Sequence, residues 1–182
     1  AFRPMMMRAA DNRVTSRLTK LMSAIRKLDT TSDRGKRSVG VGIQDQPAKD
    51  MLKGFNFNIR AMLNAILYRP ITLDPSTGEI EIADLIPVNH IAASANATHV
   101  SFTAAWANVN FDDGTYELSL SSATNLPLDS TQSTVTVTPS GVPAGTGTDV
   151  YILLVEFFQE VNGTQYSLNN GGYNAMNIVD VV

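Results

Sequence analysis

The apolar positions near the start of the chain follow a helical spacing. After Asp11 and Asn12, either of which can cap a helix, apolar residues recur in alternating steps of four and three. This spacing predicts an amphipathic helix with a heptad-type stripe, which packs either on its own domain or on a neighbouring subunit. We expect a contact set formed by Val14, Leu18, Leu21, Ile25 and Leu28 together with the flanking Arg13, Arg17 and Lys20.

A second helix is predicted from Gln46 to the residue before Pro70, with Pro47 in its first turn. Gly54 lies inside it and weakens a helix by about 1 kcal/mol relative to alanine. Residues 29–45, between the two helices, contain three glycines and are predicted to form a loop. The apolar stripe of the second helix, also assigned to subunit contacts, consists of Leu52, Phe55, Ile59, Met62 and Ile66.

After Pro70 the spacing of apolar residues changes to a period of two, which is typical of strands. Residues 150–158 are apolar on both faces and predict a central strand covered on both sides. The Asp112-Asp113-Gly114 and Asn162-Gly163 sequences predict hairpin turns. Further strands are predicted at residues 79–82, 100–106, 116–120, 135–137, 165–168 and 175–182. Trp106 is expected to face inward on the second of these strands, and Tyr116, Leu118 and Leu120 are expected to face inward on the third.

These patterns together predict an α+β protein. Residues 1–70 form a basic N-terminal arm of two amphipathic helices, and residues 71–182 form an antiparallel β-sandwich of the immunoglobulin or fibronectin type III kind. No apolar run approaches the roughly 20 residues that cross a bilayer, and the N-terminus has no apolar stretch typical of an uncleaved signal peptide. The chain has no cysteine, which excludes disulfides and cysteine-based metal sites.

The charge of the chain is divided unevenly along its length. Residues 1–37 hold ten basic residues against three acidic ones, a formal charge of +7, whereas residues 38–182 hold four against fourteen, a formal charge of −10. This asymmetry indicates that the N-terminal segment binds a negatively charged partner. The partner is a nucleic acid, a membrane surface or the acidic part of another copy of the chain.

Several short sequences resemble an uncharacterised Bacteroidota family that is known only as a domain of unknown function. They are the Asn64–Tyr68 stretch, the strand Asp149–Glu156 and the turn Glu160–Gly163, and the similarity covers residues 55–182. The resemblance implies helices followed by a sandwich and a bacterial or phage source. It implies no active site.

Candidate catalytic chemistry is sparse. His90 and His99, the two histidines, have no second histidine or carboxylate at metal-ligand spacing, and Asp112-Asp113 lacks the acidic ladder of a calcium-binding loop. Neither a phosphate-binding loop nor a nucleophile elbow is present in the sequence. We therefore expect a protein that is not an enzyme and that uses no metal or cofactor.

Three functions remain. The favoured one is a structural protein, extracellular or part of a virion, whose basic arm docks on the acidic sandwich of the next copy to build a filament, sheath or virion-type array. Its C-terminal strand, with Ile178 and Val181, is a second predicted contact, because a free end strand can complete a neighbour's sheet. The alternatives are a capsid-type protein that packages nucleic acid, and a cell-surface adhesive or carbohydrate-binding module with Trp106 and Tyr173 as stacking platforms.

Overall fold

The computed structural model describes residues 1–9 and 11–182, apart from the side chain of Asn169. Within them the fold mixes short helices with antiparallel strands, as the sequence predicted at this coarse level. The helices are α1 (Arg3–Ala9), α2 (Val14–Arg26), α3 (Val39–Gly42), α4 (Gln46–Leu52), α5 (Leu63–Ile66) and α6 (Pro87–His90). The strands are β1 (Thr72–Asp74), β2 (Glu79–Leu85), β3 (His99–Val109), β4 (Tyr116–Leu120), β5 (Thr124–Pro127), β6 (Ser133–Val137), β7 (Thr148–Val161), β8 (Thr164–Ser167) and β9 (Ala175–Val181).

The strands form two sheets. A three-stranded sheet has the order β1-β2-β6, and a six-stranded sheet is built around the long pair β3 and β7. These two strands pair antiparallel from His99 opposite Phe158 to Val109 opposite Thr148. Strands β4 and β5 lie on the outer side of β3, and β8 and β9 lie on the outer side of β7. Strand β7 is therefore central, as its apolar run predicted.

The six-stranded sheet is the middle of three layers. Because successive strand residues face opposite sides, β3 and β7 present two different apolar faces. One face, which includes Phe102 and Val155, packs on the three-stranded sheet. The other face, which includes Ile152 and Leu154, packs on the N-terminal helices and on Phe57. The helices thus cover the sheet of their own chain, and residues 1–70 share a core with residues 71–182.

The first predicted helix is confirmed as α2. Its start is held to residues 57–59 by the Asp11 carboxylate, which accepts hydrogen bonds from Arg13 N (2.7 Å), Ile59 N (2.9 Å) and Arg17 Nη2 (2.7 Å). Burial alone would raise the pKa of Asp11, but these hydrogen bonds and the Arg17 charge lower it below its ordinary value. Helix α1 was not predicted, since it is short and its buried Met5 and Ala9 are stabilised only by contact with the rest of the molecule.

The second predicted helix is wrong as a continuous element. It ends at Leu52, because Gly54 adopts a left-handed conformation (φ 80°) that turns the chain out of the helix. Residues 54–57 then run beside β9, where Gly54 N donates to Ile178 O (2.8 Å) and Phe57 N donates to Met176 O (2.8 Å). The backbone hydrogen bonds to β9 replace those that the helix would have made. Only the short α5 resumes the helical conformation.

The strand that follows the Asp112-Asp113-Gly114 turn also differs from expectation. Tyr116 is 51% exposed and Leu120 is 36% exposed, while Leu118 is half-buried. Strand β4 lies at the margin of the six-stranded sheet and pairs with one neighbour only, so its alternation does not correspond to a buried face. Strands β6, β8 and β9 confirm the remaining predictions, and β1, β5 and α6 were not predicted.

The predicted loop 29–45 is folded around the buried carboxylate of Asp29. This carboxylate accepts hydrogen bonds from the backbone N of Thr31 (3.2 Å), Ser32 (2.9 Å) and Ser38 (3.0 Å). Helix α3 follows and approaches α2 so closely that a Cβ atom on Gly42 would lie 2.3 Å from Ile25 O. Glycine is therefore required at position 42 for packing, and not simply to end a helix.

We expect Asp29→Asn to lower the melting temperature at neutral pH. Burial would raise the pKa of Asp29, but the hydrogen bonds from Ser32, Ser38 and Thr31 outweigh it and hold the pKa well below its ordinary value of about 3.8. A depressed folded-state pKa stabilises the fold above the unfolded pKa, and this stability is lost as pH falls. Thermal unfolding should show a constant difference between wild type and variant at pH 5–7 that narrows below about pH 4.

The matched control is Asp33→Asn, since the side chain of Asp33 is 81% exposed and pairs only with Lys36 on the surface. Its melting temperature should stay close to that of the wild type across the same pH range. A difference for Asp29→Asn that does not change with pH would contradict the role assigned to the ionised carboxylate.

Candidate assembly surfaces

The outer side of the helical layer carries most of the positive charge. In the described part of the chain, seven cations of residues 1–37 form no salt bridge, whereas Arg8 pairs with Glu156, Arg17 with Asp11 and Lys36 with Asp33. Three of these cations, Arg13, Lys20 and Lys27, recur at every seventh position and lie along one flank of α2. We call these seven residues the basic surface: Arg3, Arg13, Lys20, Arg26, Lys27, Arg34 and Arg37.

The outer side of the three-stranded sheet carries carboxylates and threonines. Ile80 and Ile82 point into the core, so the alternating Glu79 and Glu81 point outward. Glu81 lies between Thr72 of β1 and Thr136 of β6 in the register of the sheet. We call this set of residues the acidic face: Thr72, Asp74, Glu79, Glu81, Thr136 and Thr138.

The carboxylates of the acidic face are hydrogen-bonded but not neutralised. Glu79 Oε2 accepts from Thr138 Oγ1 (2.8 Å), and Asp74 Oδ1 accepts from Ser76 Oγ (2.6 Å) and Ser76 N (2.9 Å). The hydrogen bonds from Ser76 lower the pKa of Asp74. Among the described residues no cation forms a salt bridge with Asp74, Glu79 or Glu81.

The basic surface and the acidic face lie on opposite outer layers. The helices cover one face of the six-stranded sheet, and the three-stranded sheet covers the other. The unpaired cations and the unpaired carboxylates are therefore separated by the thickness of the middle sheet. The asymmetry along the sequence becomes a charge dipole across the folded molecule.

An apolar cleft of about 320 Å³ lies beside α2 on the helical layer. Its apolar walls are formed by Met6, Leu18, Met22 and Val39, with Arg26 at the same site. Leu18 belongs to the predicted contact stripe and is half-buried. Apolar surface is thus accessible next to unpaired positive charge on the helical layer.

The structure divides the predicted contact residues by accessibility. Arg13, Lys20, Ile59 and Met62 are exposed, and Arg17, Leu18, Leu21, Leu28 and Phe55 are half-buried. The remaining six are buried in the chain's own core, on helices or on strand β9 of the central sheet, so their assignment to a subunit contact is corrected. These six are Val14, Ile25, Leu52, Ile66, Ile178 and Val181.

The C-terminal strand is not a free end strand. Strand β9 pairs with β7 on one side, and residues 54–57 cover part of its other side through hydrogen bonds to Met176 and Ile178. Further along, Lys53 Nζ forms a salt bridge with Asp180 Oδ1 (3.1 Å). Its predicted role in completing a neighbour's sheet is therefore corrected. The pairing of residues 54–57 with β9 was not predicted, because the sequence pattern assigned these residues to a helix.

Trp106 is not a stacking platform. It is 4% exposed, its Nε1 donates to Asp149 Oδ1 (2.9 Å), and its ring centroid lies 5.1 Å from that of Tyr151. Burial, with the nearby Asp149 charge, raises the pKa of Tyr151 to about 12. Tyr173, the other proposed platform, is 48% exposed.

The two histidines, His90 and His99, have different partners and do not form a common site. His90 Nδ1 accepts a hydrogen bond from Ile86 N (2.9 Å), which fixes the turn at α6. His99 Nε2, at the start of β3, lies 3.6 Å from Glu160 Oε2 of β7. No group of three or more His, Asp or Glu residues that could hold a metal ion occurs in residues 1–9 and 11–182.

Comparisons of the chain with protein-family models, with curated proteins and with solved structures found no match. Within the described residues, no helix has the length and apolar character needed to cross a bilayer. The fold defines a three-layer protein with antiparallel sheets and short helices, whose outer layers carry opposite charge.

Proposed function

We propose that the protein is a non-enzymatic structural subunit that assembles with copies of itself. The basic surface of one copy docks on the acidic face of the next, so the contact joins two different surfaces. A heterologous contact of this kind propagates into a filament, sheath or virion-type array, or closes into a ring. The observation that carries the proposal is that the unpaired cations along α2 and the three unpaired carboxylates of the small sheet lie on opposite outer layers.

The strength of such a contact comes from several small contributions. A single exposed ion pair contributes about 0–1 kcal/mol, so charge pairing alone gives orientation and fast association more than affinity. The apolar cleft beside α2 adds surface that a partner can remove from water. We therefore expect association that weakens steeply between low and high salt.

Charge reversal tests the proposal directly. Glu79→Lys/Glu81→Lys should abolish the oligomers that sedimentation velocity detects for the wild type at low salt. The control Glu117→Lys/Asp129→Lys changes the net charge equally at exposed acids outside the acidic face, and it should still assemble. A wild type that is monomeric at low salt, or a control that loses assembly to the same degree, would contradict the proposal.

A mixing experiment identifies the opposing surface. Arg13→Glu/Lys20→Glu/Lys27→Glu should also abolish self-association, because it removes three cations of the basic surface and places glutamates along α2, where they would meet the glutamates of the acidic face. The two reversed proteins, mixed at equal concentration, should associate with each other, since the lysines of one now face the glutamates of the other. Failure of this rescue, with both variants folded by circular dichroism, would show that the two surfaces do not meet.

Packaging of nucleic acid is a second candidate, because the same unpaired cations suit phosphates. It predicts bound material absorbing at 260 nm and an affinity that falls steeply with salt. Glu79→Lys/Glu81→Lys would leave that binding intact, whereas it should abolish self-assembly.

The proposal of self-assembly includes two further points. The assembly is extracellular or belongs to a virion, and the sheets are of the immunoglobulin-like sandwich class.

A further inference from the structure

A groove of about 440 Å³ lies between residues 60–66 and residues 92–96, on neither the basic surface nor the acidic face. Small side chains such as Ala61, Ala65 and Ala93 line it above the buried ring of Phe157. Its volume falls in the range of about 300–1,000 Å³ that is usual for small-ligand sites.

Tyr173 forms one wall of this groove, and its backbone is held firmly. The neighbouring Asn174 is 1% exposed; its Nδ2 donates to Arg8 O (2.9 Å), and its Oδ1 accepts from Phe157 N (3.0 Å). Tyr173 is 48% exposed, and its hydroxyl has no hydrogen bond to a described residue. An exposed ring on a fixed backbone loses little freedom when a ligand stacks on it.

Arg60 lies at the same groove, and its backbone is positioned by a second buried amide, that of Asn58. Asn58, 2% exposed, accepts from Arg60 N (3.0 Å) through Oδ1 and donates through Nδ2 to Gly172 O (3.0 Å) and Asn174 O (3.0 Å). The side chain of Asn58 thus connects the backbone of Arg60 to the segment that carries Tyr173.

The charge of Arg60 is not neutralised within the described residues. Asp11 lines an adjoining cleft with Arg60, but its carboxylate is occupied by Arg17 Nη2 (2.7 Å), Arg13 N and Ile59 N. The guanidinium is a planar donor that binds a carboxylate with two parallel hydrogen bonds. Ser94 and Asn96 add polar groups on the opposite side of the groove.

We propose that this groove binds a carboxylate-bearing sugar ring, of the uronic acid class. The apolar face of the ring stacks on Tyr173 above the alanine floor, the carboxylate pairs with Arg60, and the hydroxyls meet Ser94 and Asn96. A single cation fits one carboxylate per bound unit and not the closely spaced charges of a nucleic acid. The proposal is independent of self-assembly, because it uses none of the residues of the two assembly surfaces.

The test is binding of tetragalacturonate by calorimetry and by amide chemical shifts, beside its fully methyl-esterified form, which keeps the ring and removes the charge. We expect Tyr173→Ala and Arg60→Ala each to weaken tetragalacturonate binding at least about tenfold, the ratio that corresponds to losing one stacking or charge-assisted contact. Tyr173→Phe should retain binding, because the ring remains. The methyl ester should bind wild type and Arg60→Ala equally weakly.

The matched controls are Tyr166→Ala and Arg13→Ala, both exposed residues outside the groove, which should bind as the wild type does. Binding that is lost in Arg13→Ala but kept in Arg60→Ala would place the sugar on the basic surface and overturn the proposal. Equal binding of the two forms of the tetrasaccharide would also overturn it. So would the absence of binding to folded wild-type protein at millimolar ligand.

Discussion

Replacement of Phe57 by alanine is expected to lower the free energy of unfolding by about 3–5 kcal/mol, the usual effect of deleting a buried phenylalanine. Phe57 is 1% exposed and lies between the helical layer and the central sheet. Its ring makes edge contacts with Phe55 (centroids 5.2 Å apart) and Phe2 (6.3 Å). Removing it leaves a cavity where three segments meet.

Urea unfolding measures this change, and thermal unfolding should show a fall in Tm of roughly 6–20 °C for a chain of this length. Ile59→Ala is the matched control, because Ile59 lies two residues away and is 45% exposed. It should change stability by less than about 0.5 kcal/mol. Equal effects of the two substitutions would show that Phe57 does not join the helices to the sheet.

Replacement of Arg8 by methionine is the second large change. Glu156 is 5% exposed on the helical side of β7, and it is paired with Arg8 through Nη2 and through Nε (2.9 Å). Removing the cation leaves a buried carboxylate without its counter-charge. We expect a loss of about 2–3 kcal/mol, less than for a fully buried pair because the Arg8 side chain is 45% exposed.

A double-mutant cycle separates the pair from the packing of its parts. Arg8→Met/Glu156→Leu should recover most of the stability lost in Arg8→Met, because no unpaired charge remains in the buried site. Urea unfolding of the wild type, both single variants and the double variant gives the coupling energy. Additive losses would contradict the assignment of the instability to the unpaired carboxylate.

Strands were predicted correctly where the residue pattern of one short segment is sufficient to identify them. Residues 150–158 are apolar at every position except Glu156. Such a run is favourable only where both faces of a strand are covered, so its central place follows from the sequence. The Asn162-Gly163 turn likewise fixes the β7–β8 hairpin, with Asn162 and Gly163 both at positive φ. Strand β5 was missed because its four residues include Asn125 and Pro127, which are poor strand formers.

The second helix was overpredicted because its apolar spacing is local, whereas its interruption depends on distant residues. From Leu52 to Ile66 the steps of three and four fit one helix, and only Gly54 indicates a break. The hydrogen bonds that make residues 54–57 extended come from Met176 and Ile178, more than 100 residues away. A pattern within one segment does not contain that competition.

The candidate site was predicted only in part, because some of its residues come from segments that are far apart in the chain. The charge division and the Glu79 and Glu81 alternation are visible in the sequence, and the outward direction of those two glutamates follows from their apolar neighbours. The groove beside Tyr173 was not predicted, since Arg60, Ser94 and Tyr173 come from three separate segments. Of these residues only Tyr173 was named from the sequence, as a stacking platform in the alternative of a carbohydrate-binding module.

The sequence by itself determined the spacing of apolar residues, and with it the identity of α2, β2, β3 and β7, because backbone periodicity acts over a few residues. It also determined the opposite charge of the two ends of the chain. Only the tertiary structure decided which stripe residues are buried, which cations keep no carboxylate partner, and that the two charged regions lie on opposite layers. These depend on contacts between residues far apart in the chain, which are set when the helices cover one face of the central sheet and the small sheet covers the other.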